Sequence, residues 1–178
     1  MKVLFFIISI SILFTTCKKK EEIDFSQYKA SAFLLGTAWQ ASKVEFDLEV
    51  NNTLGFGISK SNENNELRHQ ISLQNLTVSK DTIFLKYWNP GPNWVTAPIV
   101  PTASFATFLS HGDVLGESYH LLEDKNFKSW VILNQVSEDE ISGKFQIAFV
   151  MDFRTSPLRN PLPDSIYFTE GSFFARRK

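Results

Sequence analysis

The segment from Val44 to Val50 reads VEFDLEV, apolar and acidic residues in unbroken alternation. Side chains of an extended chain point to opposite faces at every second residue, so this pattern predicts a strand with one buried and one wet face. A helix would scatter the three acids around its circumference and leave no continuous apolar stripe. Asn51-Asn52 then predicts a turn, and GFGISKS the returning strand. The alternation recurs in LRHQISLQ, with Leu67, His69, Ile71 and Leu73 on one side, and in SWVILNQV. It is clearest in ISGKFQIAFVMDF, where Ile141, Phe145, Ile147, Phe149, Met151 and Phe153 are predicted to point one way and Ser142, Lys144, Gln146 and Asp152 the other. The intervening SNENNE, HGDVLGE, EDKNFK and SEDE carry turn chemistry. Apart from a short turn around 25–32, nothing after Cys17 shows a long helical apolar period. The prediction is an all-β fold, an antiparallel β-sandwich or partly closed barrel of about nine strands. Pro90–Pro101 and Thr155–Asp164 are predicted as long connections, since proline cannot donate to a sheet ladder.

The N-terminus breaks this pattern. Met1-Lys2 is followed by VLFFIISISILF, an apolar run from Val3 to Phe14, and then by Thr15 and Thr16. That is the layout of a signal peptide, and the run is too short for a membrane-spanning helix, which needs about 20 apolar residues. Cys17 is the single cysteine of 178 residues, so no disulfide framework exists in this chain. Its neighbours KKKEE exclude a place in a core, because buried unpaired lysines are very costly. Leu13-Phe14-Thr15-Thr16-Cys17 resembles a lipobox, in which the thiol receives diacylglycerol before cleavage on its N-terminal side. Phe14 and Thr16 depart from the Leu and the Gly, Ala or Ser that this pattern prefers. The expected organisation is a signal-peptide helix over 1–16, a lipidated cysteine and charged tether over 17–29, and a single β domain over 30–178. Acyl chains contribute about 0.8 kcal/mol per buried CH₂, so two or three hold such a domain firmly to a leaflet. Lys20-Glu21-Glu22 resembles the export signal that sends lipoproteins of the Bacteroidota to the outer face of the outer membrane. The expected location is therefore the outer membrane, lipid-anchored and exposed at the cell surface, with a periplasm-facing anchor as the alternative.

Composition narrows the partners. Removing residues 1–16 takes one lysine from the 18 basic residues and none of the 19 acidic ones, leaving a balance of about −2. A polyanion-binding surface gains from counterion release only with a strong basic excess, so nucleic acid is not an expected partner. Phenylalanine is frequent, 17 residues, and each buried ring contributes a large apolar area to one core.

Three patterns are candidates for chemistry. KYWNPGPNWVTAPIVP crowds Tyr87, Trp88 and Trp94 around a proline-stiffened loop. Indole faces stack on apolar sugar faces and on proline, and a stiff loop loses little entropy on ordering a ligand. Tyr87, Trp88 and Trp94 are therefore the candidate ligand-binding residues, the alternative being that both indoles fold back over an open barrel end. SHGDVLGESYH gathers His111, Asp113, Glu117 and His120, but a strand throws Glu117 and His120 onto opposite faces, so no metal site is expected. Glu138, Asp139 and Glu140 are adjacent acids at a bend, and glycosidase carboxylates must face one another across a sugar. Nucleophile-elbow, phosphate-loop and HExxH patterns are absent from the sequence, so no catalytic residue and no cofactor is expected. Asp81-Thr82-Ile83 and Asp164-Ser165-Ile166 resemble O-glycan acceptors, which makes Thr82 and Ser165 candidate modification sites.

SAFLLGTAWQAS, YHLLED, DEISGKFQIAF and IYFTEGSFFAR together resemble the small, uncharacterised lipoproteins of the Bacteroidota that carry a β-rich domain of unknown function. The likeness spans most of 30–176, with Pro90–Pro101 standing as an insertion. It implies a β domain on a lipid anchor and assigns no activity. Gly36-Thr37-Ala38-Trp39 is also similar to the Gly-x-Trp of the first lipocalin strand, with one residue too many. The simpler reading makes Trp39 a core anchor of strand one. The expected function is a membrane-anchored, non-catalytic binding domain for a glycan, a peptide or a partner protein. The alternatives are a lipocalin-like carrier of an apolar small molecule and, after it, a hydrolase using surface carboxylates.

Overall fold

The computed structural model describes residues 29–48, 53–89, 98–109, 112–155, 158 and 160–177. Eleven strands run through them: β1 (Ala30–Leu34), β2 (Thr37–Ala41), β3 (Lys43–Leu48), β4 (Thr53–Ser61), β5 (Leu67–Thr77) and β6 (Ile83–Phe84), then β7 (Thr102–Phe108), β8 (Leu115–Leu121), β9 (Trp130–Val136), β10 (Glu140–Arg154) and β11 (Ser165–Arg177). The signal peptide with its helix, Cys17, Asn51-Asn52, Trp94 and His111 lie outside the described residues.

The alternation expected of VEFDL holds in β3, where Val44 and Phe46 are buried and Glu45 and Asp47 face out. β4 continues it with Leu54, Phe56 and Ile58 inside. One sheet takes up all eleven strands in the order β2-β1-β11-β3-β4-β5-β7-β8-β10-β9-β6, and β10 also pairs with β11. The sheet thus bends round on itself into an open barrel. Its one parallel junction among the described residues is β11 with β3, which pairs Arg176 with Glu45 and Arg177 with Phe46. The barrel interior is filled by rings: Phe105 lies 5.4 Å from Phe168 and 5.9 Å from Phe149, and Trp39 meets Phe168 edge-on at 5.2 Å. Each such fully buried side chain contributes about 1.5–3 kcal/mol relative to leaving it in water.

The long pair β10 and β11 is locked by a repeated Gly-x-Phe. Gly143 stands opposite Phe173 and Phe145 opposite Gly171 in an antiparallel register, so each ring lies over the other strand's glycine. A Cβ on Gly171 would come within 2.7 Å of three atoms of the Phe145 ring. One on Gly143 would come within 2.6 Å of the Phe173 ring and closer still to the Ile132 carbonyl oxygen. Only glycine admits that approach.

Three expectations need correction. Trp39 is a core anchor, but of the second strand: SAFLLGTAWQAS is a hairpin whose turn is Leu35-Gly36, both at positive φ (51° and 77°), as a tight two-residue turn requires. Phe153, expected to face inward with Met151, is 50% exposed, because a bulge between Met151 and Phe153 in the ladder with β8 reverses the parity of the strand end. Among the described residues the strands number eleven where about nine were expected, two of the short ones being the second arm of that hairpin and the two-residue β6.

Candidate functional site

Alternation in β5, β7 and β8 puts Ile71, Leu73, Ala103, Phe105, Tyr119 and Leu121 inside the barrel. The residues between them face out, and register lines them up. Glu45 pairs with Gly57, Gly57 with Ser72, Ser72 with Ser104, and Ser104 with His120. This row crosses five strands, roughly 19 Å at about 4.8 Å per strand spacing. Its middle members have short side chains or none, so the outer face is recessed there. A depression of about 300 Å³ lies over Glu45, Asp47, Gly57, Ser59 and Gln70, and a second of about 160 Å³ lies under Tyr87 and Trp88. Ser72 and Gln74 line both.

The connection after β6 brings the aromatic residues to this row. Lys86 donates its N–H to the Pro101 carbonyl (2.8 Å) and Tyr87 donates its own to the Glu123 carboxylate (3.2 Å). The Trp88 indole N–H donates to the Pro98 carbonyl at 3.1 Å, which ties the ring to that residue. Tyr87 stacks on His120 with centroids 4.6 Å apart and planes 37° from parallel. Tyr87 and Trp88 remain 41% and 37% exposed. Trp88 therefore stands over outward-facing residues of β5 and β7 and does not cover the barrel's end. Beneath Tyr87, the His120 Nδ1 is buried without a hydrogen-bond partner, its nearest acid being Asp152 at 4.0 Å. Trp94, the third candidate, lies outside the described residues.

A second polar cluster sits inside one end of the barrel. Glu117 is only 2% exposed. Its carboxylate accepts hydrogen bonds from Arg154 Nε (2.8 Å), from the Leu162 N–H (3.2 Å) and from the Thr107 hydroxyl (3.3 Å). Arg154 also donates to the Leu162 carbonyl and lies 3.4 Å from Asp164. Hydrogen bonding to Glu117 raises the guanidinium further above its ordinary value. The Tyr119 hydroxyl donates to the Pro163 carbonyl (3.2 Å), and burial pushes its pKa up to about 12. Together these bonds strap the connection between β10 and β11 across the barrel end. Nearby, Trp39 Nε1 donates to His69 Nδ1 at 3.0 Å. Indole nitrogen is a donor only, so that imidazole is neutral with its proton on Nε2. Burial, with Lys60 adding to it, lowers its pKa to about 4.

The other sequence candidates do not converge. Glu117 and His120 point to opposite faces of β8, Asp113 is exposed, and no group of three potential metal ligands forms among the described residues. Glu138 and Asp139 lie on the bend before β10, which Ser137 closes by accepting the Glu140 N–H (3.0 Å). Thr82 is exposed, and Ser165 begins β11 opposite Val150. Sequence reasoning missed the Glu117–Arg154 pair, although face parity from Tyr119 and Leu121 places Glu117 inward. No family model, curated protein or solved structure matches the chain.

Proposed function

We propose that this chain is an envelope lipoprotein, held at the outer membrane through Cys17, whose β domain binds a neutral glycan along the Glu45–His120 row. The resemblance to Bacteroidota lipoproteins and the cell-surface export signal belong to the same proposal. The observation that carries the glycan reading is the position of two immobilised, half-exposed rings, Tyr87 and Trp88, at the end of a recessed floor of serines and glutamines. Rings offer stacking to the C–H faces of a pyranose, while hydroxyls and amides answer its O–H groups. The Trp88 indole is already tied to Pro98, so little freedom is left to lose on binding. Glu45 and Asp47 at the far end disfavour an acidic glycan. They also share one strand, side by side, rather than flanking a substrate as glycosidase carboxylates do, which favours binding over hydrolysis. The filled barrel interior likewise argues against a lipocalin-like central cavity.

Titration of the intrinsic tryptophan emission with manno-, gluco- and galacto-oligosaccharides tests the reading. At least one neutral series is expected to shift the emission, and Trp88→Ala to weaken it by about tenfold or more. An unresponsive protein, or a Trp88→Ala variant that binds like the parent, refutes it, and a response confined to peptides would move the site to a protein partner. The anchor is tested separately: labelled palmitate is expected in the parent protein and not in Cys17→Ser.

A further inference from the structure

An open groove of about 440 Å³ lies on the outside of the barrel, between β6 and the connection from β8 to β9. Its apolar surface comes from Phe84, Leu85, Leu122 and Phe127. Phe84 is exposed while its neighbours Ile83 and Leu85 are buried, because strand parity turns it outward. The walls are pinned. Leu122 donates its N–H to the Ala148 carbonyl (2.9 Å), the Gln146 amide donates to the Lys128 carbonyl (3.2 Å), and the Phe127 ring meets Tyr167 edge-on at 5.1 Å. Leu85 donates its N–H to the Ser129 carbonyl (3.0 Å), and the Ser129 hydroxyl accepts the Ala148 N–H (3.0 Å). The groove is therefore formed before any ligand arrives.

The charges around it are unequal. Lys86, Lys125 and Lys128 line it, and none of them is in an ion pair among the described residues. The Lys128 ammonium stands 5.8 Å from the centre of the Phe84 ring. Glu123 and Asp124 line the groove too, each accepting a backbone N–H, from Tyr87 (3.2 Å) and from Asn126 (2.8 Å). Three cations against two acids leave one positive charge beside an apolar floor, and such a floor with a few convergent polar groups is the usual make-up of a small-molecule site.

We propose that this groove is a second binding site, taking an amphiphile with an apolar body and a single negative charge, such as a medium-chain carboxylate. The body covers Phe84 and Leu122 and removes from water apolar surface that the fold leaves open. The headgroup supplies the counter-charge that the lysines lack within the fold. A cationic amphiphile would meet the positive balance of the rim, and an uncharged one would leave the lysines unanswered. The groove adjoins the glycan row through the Tyr87–Glu123 bond but shares none of its floor.

Three probes with one chain separate the possibilities: octanoate, octanol and octylammonium, each titrated into the full chain while the methyl resonances of Leu85 and Leu122 are followed. Octanoate is expected to move both and to bind several-fold more tightly than octanol, with octylammonium the weakest. The advantage over octanol should shrink as salt is added, since the lysines are exposed. Lys86→Gln with Lys125→Gln should weaken octanoate by about three- to tenfold and leave octanol unchanged. Phe84→Ala, at an exposed position that the fold tolerates, should weaken both by about five- to tenfold. Trp88→Ala should alter neither, so this site stands or falls apart from the glycan row. Octanol binding as tightly as octanoate, undiminished binding in Phe84→Ala, or lysine variants that bind octanoate like the parent would overturn the proposal. A response to anionic phospholipid vesicles with none to free octanoate would also overturn it, making the groove a membrane-facing patch.

Discussion

Two glycine-floored recesses lie on opposite faces of this sheet, and they are used in opposite ways. On the inner face, Gly143 and Gly171 leave hollows that Phe173 and Phe145 fill from the facing strand. On the outer face, Gly57 leaves a hollow that no side chain enters: a Cβ there would meet only Gln70 Nε2, at 3.7 Å. Glycine weakens a strand by roughly 0.5–1 kcal/mol relative to alanine, so each position needs a compensation. The inner pair receives it as ring burial within the fold. The outer one receives nothing from the fold that packing reveals, and that difference directs attention to a ligand.

Four changes test the contrast, and the largest effect should come from Gly143→Ala. Its methyl group would press on the Ile132 carbonyl, and backbone cannot yield as a side chain can, so a loss of about 4 kcal/mol or more is expected in urea unfolding. Gly171→Ala presses only on the Phe145 ring and should cost about 2–3 kcal/mol. In a Phe145→Leu background that cost should shrink, and a double-mutant cycle with no coupling would mean the ring and the glycine are independent.

Stability against pH probes the other end of the barrel. The folded-state pKa of His69 is lowered, so the unfolded chain takes up the proton first as pH falls below about 6.5. Stability should therefore be complete above that value and decline toward pH 4, by a few kcal/mol at most, levelling off once folded His69 protonates as well. The diagnostic is the difference from His69→Phe, in which this part of the slope should vanish. The smallest effect on stability belongs to Gly57→Ala, within about 1 kcal/mol of the parent and in the stabilising direction. The same variant should weaken oligosaccharide binding, and unaltered binding would remove Gly57 from the site.

How much of this was legible beforehand depended on whether a feature is local. The inward face of β3 and most of that of β10 follow from alternation alone, because parity needs no partner. Parity fails where the ladder slips, and the Met151–Phe153 bulge depends on β8, some thirty residues away. The β1–β2 hairpin was hidden because its turn places Leu35, a residue that avoids positive φ, where Asn or Gly would have announced it. Tyr87 and Trp88 could be picked out by their crowding, whereas their floor could not. Gly57, Ser72, Ser104 and His120 are unremarkable one by one and form a row only through the register of four strands. The two Gly-x-Phe segments were visible as a shared pattern, but their mutual packing needed the antiparallel pairing to be known.

The wiring of β11 carries a consequence for how the protein is made. That strand is bonded to β1, β3 and β10, so residues near 30, already paired with β2 on one side, find their second neighbour only among residues near 170. Contacts this distant in sequence are slow to form, and the sheet cannot assemble around its hub until the hub has left the ribosome. Local hairpins can pair earlier, but the sheet as a whole closes only when synthesis is nearly complete, which suits the secretion proposed above.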